Sequence, residues 1–210
     1  MRKLYVLLSI WLAGCTIMPQ AQTPVSIYDF GLQQVSSTYN TSNQQQQLWT
    51  SLLLEEATSP VWLDSKAIQY RLAYLDPTQS YNYANNRWAA TPAMLLTHRI
   101  RNRIAAVTND KIVSTSEGTR ADFTLRLELE EFSQVFDAVD KSHVVIRLRA
   151  SLIHRSSRSL RAQRNFSMEQ ATPTANAAGA VQALTESSDK LIENLIDWLA
   201  EELARGEENY

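Results

Sequence analysis

Apolar and polar residues alternate with a period of two in several stretches of the chain and recur with a helical period in two others. Phe123, Leu125, Leu127 and Leu129 alternate with Thr124, Arg126, Glu128 and Glu130, which predicts a strand with one buried face. Val144, Ile146, Leu148, Ala150 and Leu152 predict a second. Leu160, Ala162, Arg164, Phe166 and Met168 suit a strand returning from a turn at Ser156-Ser157-Arg158, so residues 143–169 read as a long hairpin. Nearer the start, Val25–Phe30 is β-branched and aromatic and stops at Gly31, a first strand. Leu48–Glu56 and Val61–Leu63 read as strands flanking a turn at Ser59-Pro60. Ile68, Tyr70, Leu72 and Tyr74 alternate with Gln69, Arg71 and Ala73 until Asp76-Pro77 turns the chain.

The helical period appears first after Thr91-Pro92, a capping residue followed by a proline suited to the first helical position. Leu96, Ile100, Ile104 and Val107 form its stripe, with Arg99, Arg101 and Arg103 mostly off it, over residues 92–107. The second helix follows Thr172-Pro173, with Val181, Leu184, Leu191, Leu195, Trp198 and Leu199 on one side; Glu207–Tyr210 should fray. The order of elements predicts an α+β fold: a mainly antiparallel sheet with two amphipathic helices packed on one face. Gln33–Gln47, rich in Gln, Ser, Asn and Thr, cannot bury enough apolar surface to order itself and reads as a flexible polar loop.

The first residues change the picture. Met1-Arg2-Lys3 is positive, Leu4–Trp11 is apolar but too short to span a bilayer, and Leu12-Ala13-Gly14-Cys15 ends in small residues before a cysteine. This order matches a lipoprotein signal cut between Gly14 and Cys15, because a thiol is needed to carry the thioether-linked diacylglycerol. Cys15 is the single cysteine, so no intramolecular disulfide can form in an oxidising periplasm. Thr16 follows it, where Asp would favour retention in the inner membrane, so the outer membrane is expected. The chain thus divides into a signal peptide (1–14), a lipid tether (15–24) and one α+β domain (25–206). Loss of Arg2 and Lys3 leaves 18 basic residues against 22 acidic ones, a net charge of −4, which gives no footprint for nucleic acid.

Candidate chemistry is sparse. His98, His143 and His154 match no metal-ligand spacing, and no second cysteine is present to hold zinc. No serine sits in a Gly-x-Ser-x-Gly elbow and no glycine-rich loop could cradle phosphate. The adjacent acids Glu55-Glu56 and Glu130-Glu131 should point to opposite faces of a strand, and Glu201-Glu202 to solvent at a helix end. No catalytic residue, cofactor or metal is expected. Tyr81–Trp88 stands out: three aromatics and an arginine in a polar loop before a helix, residue types enriched at binding hot spots. Either Trp88 and a tyrosine close the helix entrance into the core, or the segment faces a partner. Position suggests a division, with Trp88 mainly structural and Tyr83 and Arg87 at the contact.

Ile68–Tyr74, then Tyr83-Ala84-Asn85-Asn86-Arg87-Trp88-Ala89, then Pro92 and the Leu95-Leu96 helix resemble the ABC-type transport auxiliary lipoprotein family, the PqiC-like lipoproteins of the outer membrane. Tyr28-Asp29-Phe30-Gly31 and the Trp198-bearing last helix fit the same layout. The resemblance implies an outer-membrane lipoprotein facing the periplasm and serving an ABC lipid transporter of the mammalian-cell-entry (MCE) type. It would dock the periplasm-spanning MCE protein. The alternative is a carrier that itself holds a phospholipid or sterol-like molecule in an apolar cavity. A homo-oligomer is compatible with either, and the family supplies no catalytic residues.

Overall fold

The structure is a computed structural model that describes residues 24–32, 52–108, 112–114 and 121–205. The stretches expected as signal peptide (1–14) and polar loop (Gln33–Gln47), Cys15, and the end expected to fray (Glu207–Tyr210) lie outside them. Among the described residues eight strands form one sheet: β1 (Ser26–Tyr28), β2 (Leu52–Leu54), β3 (Ala67–Leu72), β4 (Tyr81–Trp88), β5 (Ile112–Ser114), β6 (Phe123–Ala138), β7 (Lys141–His154) and β8 (Ser159–Ala171). The helices among the described residues are α1 (Pro92–Thr108) and α2 (Ala177–Ala204).

β6, β7 and β8 form an antiparallel meander that follows the predicted alternation. Leu125 faces Leu152, Leu127 faces Ala150 and Leu129 faces Leu148, and each of these side chains is buried. β6 is nevertheless twice as long as the alternation suggests. Two consecutive acids, Glu130 and Glu131, break the period, and the ladder absorbs the extra residue as a bulge: Leu129 pairs Leu148, Glu131 pairs Arg147 and Phe132 pairs Ile146. Phe132, Gln134 and Phe136 thereby return to the helix-bearing face. The bulge also corrects the expectation that these two acids face opposite ways. Glu130 pairs with Arg149 on the outer face and Glu131 accepts from Ser133 there. A second irregularity, between Leu152 and Ile153, places Leu160 opposite Ile153 and turns it out to solvent, away from Ala162.

The other edge of β6 is shared. Its first half pairs parallel with β2, its last half pairs parallel with β3, and a bridge from Thr58 to Glu128 lies between. β4 pairs antiparallel with β3 and parallel with β1, and β5 pairs parallel with β2. Most paired residues are antiparallel, and each parallel joint spans only three residues per strand. Two predicted elements change. Val61–Leu63 is a turn, because the Pro60 carbonyl accepts from both Leu63 N and Asp64 N; Val61 and Trp62 are exposed and only Leu63 is buried. Tyr81–Trp88 is a strand.

α2 packs along β6, β7 and β8, and α1 lies against α2 and β5. All four stripe residues of α1 and five of the six of α2 are buried, Val181 being half-buried. Thr91 Oγ1 accepts from Met94 N at 3.4 Å, and Asn176 Oδ1 accepts from Gly179 N at 2.9 Å, so both helices start on a side-chain cap. At Gly179 a Cβ would lie 2.1 Å from the Thr174 carbonyl oxygen, which leaves room for glycine alone. Arg99 reaches Asp189 and Arg103 reaches Glu193, a spacing of four on both helices, so the two helices run in the same sense.

Candidate functional site: the two ends of the aromatic strand

β4 carries the aromatic segment, and its two ends have different surroundings. Between Ala67 opposite Arg87 and Gln69 opposite Asn82, β3 advances two residues while β4 advances five. This wide bulge lets Tyr81, Tyr83 and Trp88 all point to the helix-bearing face despite their mixed parity. The sequence reads as a loop here because no period-two pattern survives such an insertion.

At the C-terminal end, Trp88 is 1% exposed. Its ring meets Phe30 edge-on at 5.7 Å and lies 5.7 Å from Phe132, while Phe30 and Phe132 are 6.0 Å apart. Above this trio sits Arg99, which is buried although it belongs to the polar residues of α1. Its Nε and NH2 donate to the two Asp189 oxygens at 2.6 Å each, NH1 donates to the Phe30 carbonyl at 2.7 Å, and its guanidinium lies 5.7 Å from the Phe30 ring centre. One cation therefore joins α1, α2 and the chain leaving β1. Gly31 makes that exit possible: its φ of +66° is in the left-handed region, and its N–H donates to Asp29 Oδ1 at 2.8 Å.

At the N-terminal end, Tyr70 is the centre of a half-exposed cluster. Tyr81 stacks on it at 5.4 Å, Tyr83 tilts against it at 4.7 Å and Phe136 meets it edge-on at 5.7 Å. Tyr83 OH donates to Gln134 Oε1 at 2.7 Å, Gln134 Nε2 donates to Ser142 Oγ at 2.8 Å, and Ser142 and Thr172 hydroxyls are 2.6 Å apart. Gln134 is fully buried, and this chain satisfies it. Partial burial pushes the Tyr83 phenol up to about 12, with Tyr70 adding to the shift, so Tyr83 is a neutral donor at physiological pH.

The three residues singled out from sequence are thus separated. Trp88 lies in the core and Tyr83 in the half-open cluster. Arg87 is exposed on the opposite face, because its register with Ile27 alternates with that of Trp88 with Tyr28. The histidines are also apart: His98 contacts Asn102, His143 contacts Asp137, and His154 lies near Ser156 and Ser157. Among the described residues no group of three His, Cys, Asp or Glu could hold a metal ion, and no helix is long and apolar enough to cross a membrane. A cavity of about 330 Å³ opens beside α1, lined by Phe30, Leu32, Leu95, His98 and Asn102 among others. Sequence reasoning missed Tyr70 and Gln134; the alternation of β3 marks Tyr70 as inward-facing, but nothing local marks Gln134.

The family model for the ABC-type transport auxiliary lipoprotein component matches residues 30–195. Among solved structures, a protein from Xanthomonas campestris superposes with a TM-score of 0.66 at 19% identity, over 76% of this chain and 88% of its own. An uncharacterized protein superposes with a TM-score of 0.62 at 19% identity, over 82% and 97%. A hypothetical protein from Chlamydia trachomatis does so at 0.50 with 8% identity, over 72% and 96%. At these identities the likeness is one of fold. No protein of curated function matches the sequence.

Proposed function

Because the chain belongs to the family of ABC-type transport auxiliary lipoproteins, we propose that it is lipidated at Cys15, reaches the outer membrane, and docks the periplasm-spanning MCE protein of an ABC lipid transporter there. The observation that carries this reading is the family match over residues 30–195, joined to the lipoprotein signal that ends at Gly14-Cys15. The tyrosine cluster supplies the docking surface. Tyr70, Tyr81 and Tyr83 are only half covered, they are stiffened by stacking and by the Gln134 network, and rigid aromatics bury large area at low entropic cost. The cavity beside α1 is at the small end of the ~300–1,000 Å³ typical of ligand sites, which favours docking over carriage of a whole lipid.

Three measurements test the reading. Cys15→Ser should leave an unprocessed, unlipidated precursor by mass spectrometry, since a hydroxyl does not replace the thiol; a mature protein starting elsewhere overturns the anchor. Membrane fractionation should place the wild type in the outer membrane and Thr16→Asp in the inner; a wild type found in the inner membrane overturns the location. In pull-downs, Tyr81→Ala with Tyr83→Ala should weaken capture of the MCE protein by about 2 kcal/mol, a typical hot-spot loss. A double variant that stays folded and binds normally removes the cluster from the interface.

A further inference from the structure

The face of the sheet turned away from the helices is polar over the meander, where Arg149 pairs with Glu128 and Glu130. At the β1 edge it is not. Val25 is 43% exposed, Ile27 62%, Val61 89% and Trp62 66%. The register puts these residues together. Ile27 pairs with Arg87 and Arg87 with Ala67, so the three share the face opposite Tyr28 and Trp88. Gln69, two residues on, shares that face, and its side-chain amide donates to the Trp62 carbonyl. The 60–64 turn is thereby held over β3, with β4 between it and β1. Arg87 is exposed between Ile27 and Ala67 on this face, and Lys66 is exposed in the bend that leads from the turn into β3, with Arg71 half-buried further along β3 and Asp64 the acid within the turn. The patch therefore combines a tryptophan, branched aliphatics and cations, the mixture favoured where a protein meets phospholipid headgroups.

The position in the chain names the occupant. Val25 lies directly before β1 and Ile27 within it, next to the tether, and the stretch from Cys15 to Pro24 can reach at most about 35 Å when fully extended. A domain lipidated at Cys15 cannot leave the bilayer, and the surface reached first is this patch. We propose that the β1–β4 edge, with Val25, Ile27, Val61 and Trp62 as its apolar contacts and Lys66 and Arg87 facing lipid phosphates, rests on the phospholipid leaflet that holds the N-terminal acyl chains. This rests on the lipidation reading above. It orients the molecule: the tyrosine cluster, on the opposite face, turns to the periplasm.

The experiment uses the full lipidated protein in vesicles of phosphatidylethanolamine and phosphatidylglycerol whose acyl chains are brominated. Bromine quenches only tryptophans that reach the leaflet. Trp11 leaves with the signal peptide, Trp49→Phe is carried as the common background of every protein compared, and Trp88 and Trp198 are buried in the core, so Trp62 should account for most of the quenching. Trp62→Phe, a change at an exposed site, should abolish most of the bromolipid effect with an unchanged melting temperature. Arg87→Glu should reduce the quenching of Trp62, more so as phosphatidylglycerol is increased. The acyl mass of the N-terminal peptide is recorded on the same sample. Acylated protein whose quenching is the same in wild type and Trp62→Phe overturns the orientation alone. Protein without the acyl mass overturns the anchor and the orientation with it. A Trp62 untouched by bromolipid but shielded when the MCE protein is added assigns the patch to a protein partner and overturns the proposal.

Discussion

From Phe123 to Ala171 the chain makes three long strands joined by tight turns, each paired to its sequence neighbour. From Ser26 to Ser114 no strand among the described residues exceeds eight residues, and all four parallel joints there attach to strands distant in sequence. The meander is held by its ladder and by rows of aliphatic side chains crossing it. The short-strand half has too few ladder bonds for that. It is held by points: the Phe30–Trp88–Phe132 trio, the Arg99 fork, the Thr97 hydroxyl that accepts from Ala57 N at 2.9 Å, and the Tyr83–Gln134 bond. Long local strands distribute their stability, whereas short distant ones concentrate it in a few large or charged residues. The proposed contacts, with partner and with membrane, both fall on the short-strand half, where exposed edges and half-covered aromatics remain.

If this contrast is right, the largest loss should come from Trp88→Ala. Removing a fully buried indole should cost about 3–5 kcal/mol, a sizeable part of a domain's stability. Thermal melts on the purified variant check it; a small shift would mean that the trio does not hold β1 and β4 to the core. Next comes Arg99→Met, which keeps most of the apolar stem and removes three charge-assisted hydrogen bonds. Asp189 remains partly exposed and can rehydrate, so the expected loss is about 2 kcal/mol. Chemical denaturation should show it, and proteolysis should attack the β1 region first.

A smaller effect should appear in alkali. The Tyr83 phenol is raised to about 12 in the fold, against about 10 when unfolded. Above pH 10 the unfolded chain releases this proton while the folded one keeps it. Stability should therefore fall as pH rises from about 10 to 12. The ring is only half-buried, and solvent screening reduces the contribution to about 1 kcal/mol. Melts of Tyr83→Phe, which cannot ionise, should decline less steeply over that window than the wild type; parallel curves would show that Tyr83 is not protected. The smallest effect belongs to the meander. Deleting Glu130 removes the bulged residue and leaves Leu129 and Phe132 separated by one outward residue, a regular ladder. It also loses the Glu130–Arg149 pair, which is partly solvent-exposed. The change should stay within about 1 kcal/mol, and circular dichroism should be unaltered. Unfolding of this deletion would show that the bend at the bulge is itself required.

Val144 to Leu152 needs only its own alternation to be read as a strand, because one face of the meander is buried along its whole length. β4 has no such pattern. Its bulge makes residues of both parities share a face, so Tyr81–Trp88 reads as a polar loop until β1 and β3 are placed on either side of it. Val61–Leu63 misleads in the other direction: three apolar residues suggest a strand, but Pro60 closes a turn there and two of the three stay in solvent. Arg99 could not be recognised as buried from α1 alone, since its partner Asp189 lies 90 residues away.

The sequence by itself determined the two helices, the meander and the α+β class, because each is written in local periodicity. Tertiary structure decided which of the singled-out aromatics are core and which are surface, that Arg87 and Tyr83 lie on opposite faces, and that Ile27 and Trp62 lie on one. These depend on register between strands far apart in the chain, and register is fixed by burial and side-chain bonds that no local window contains.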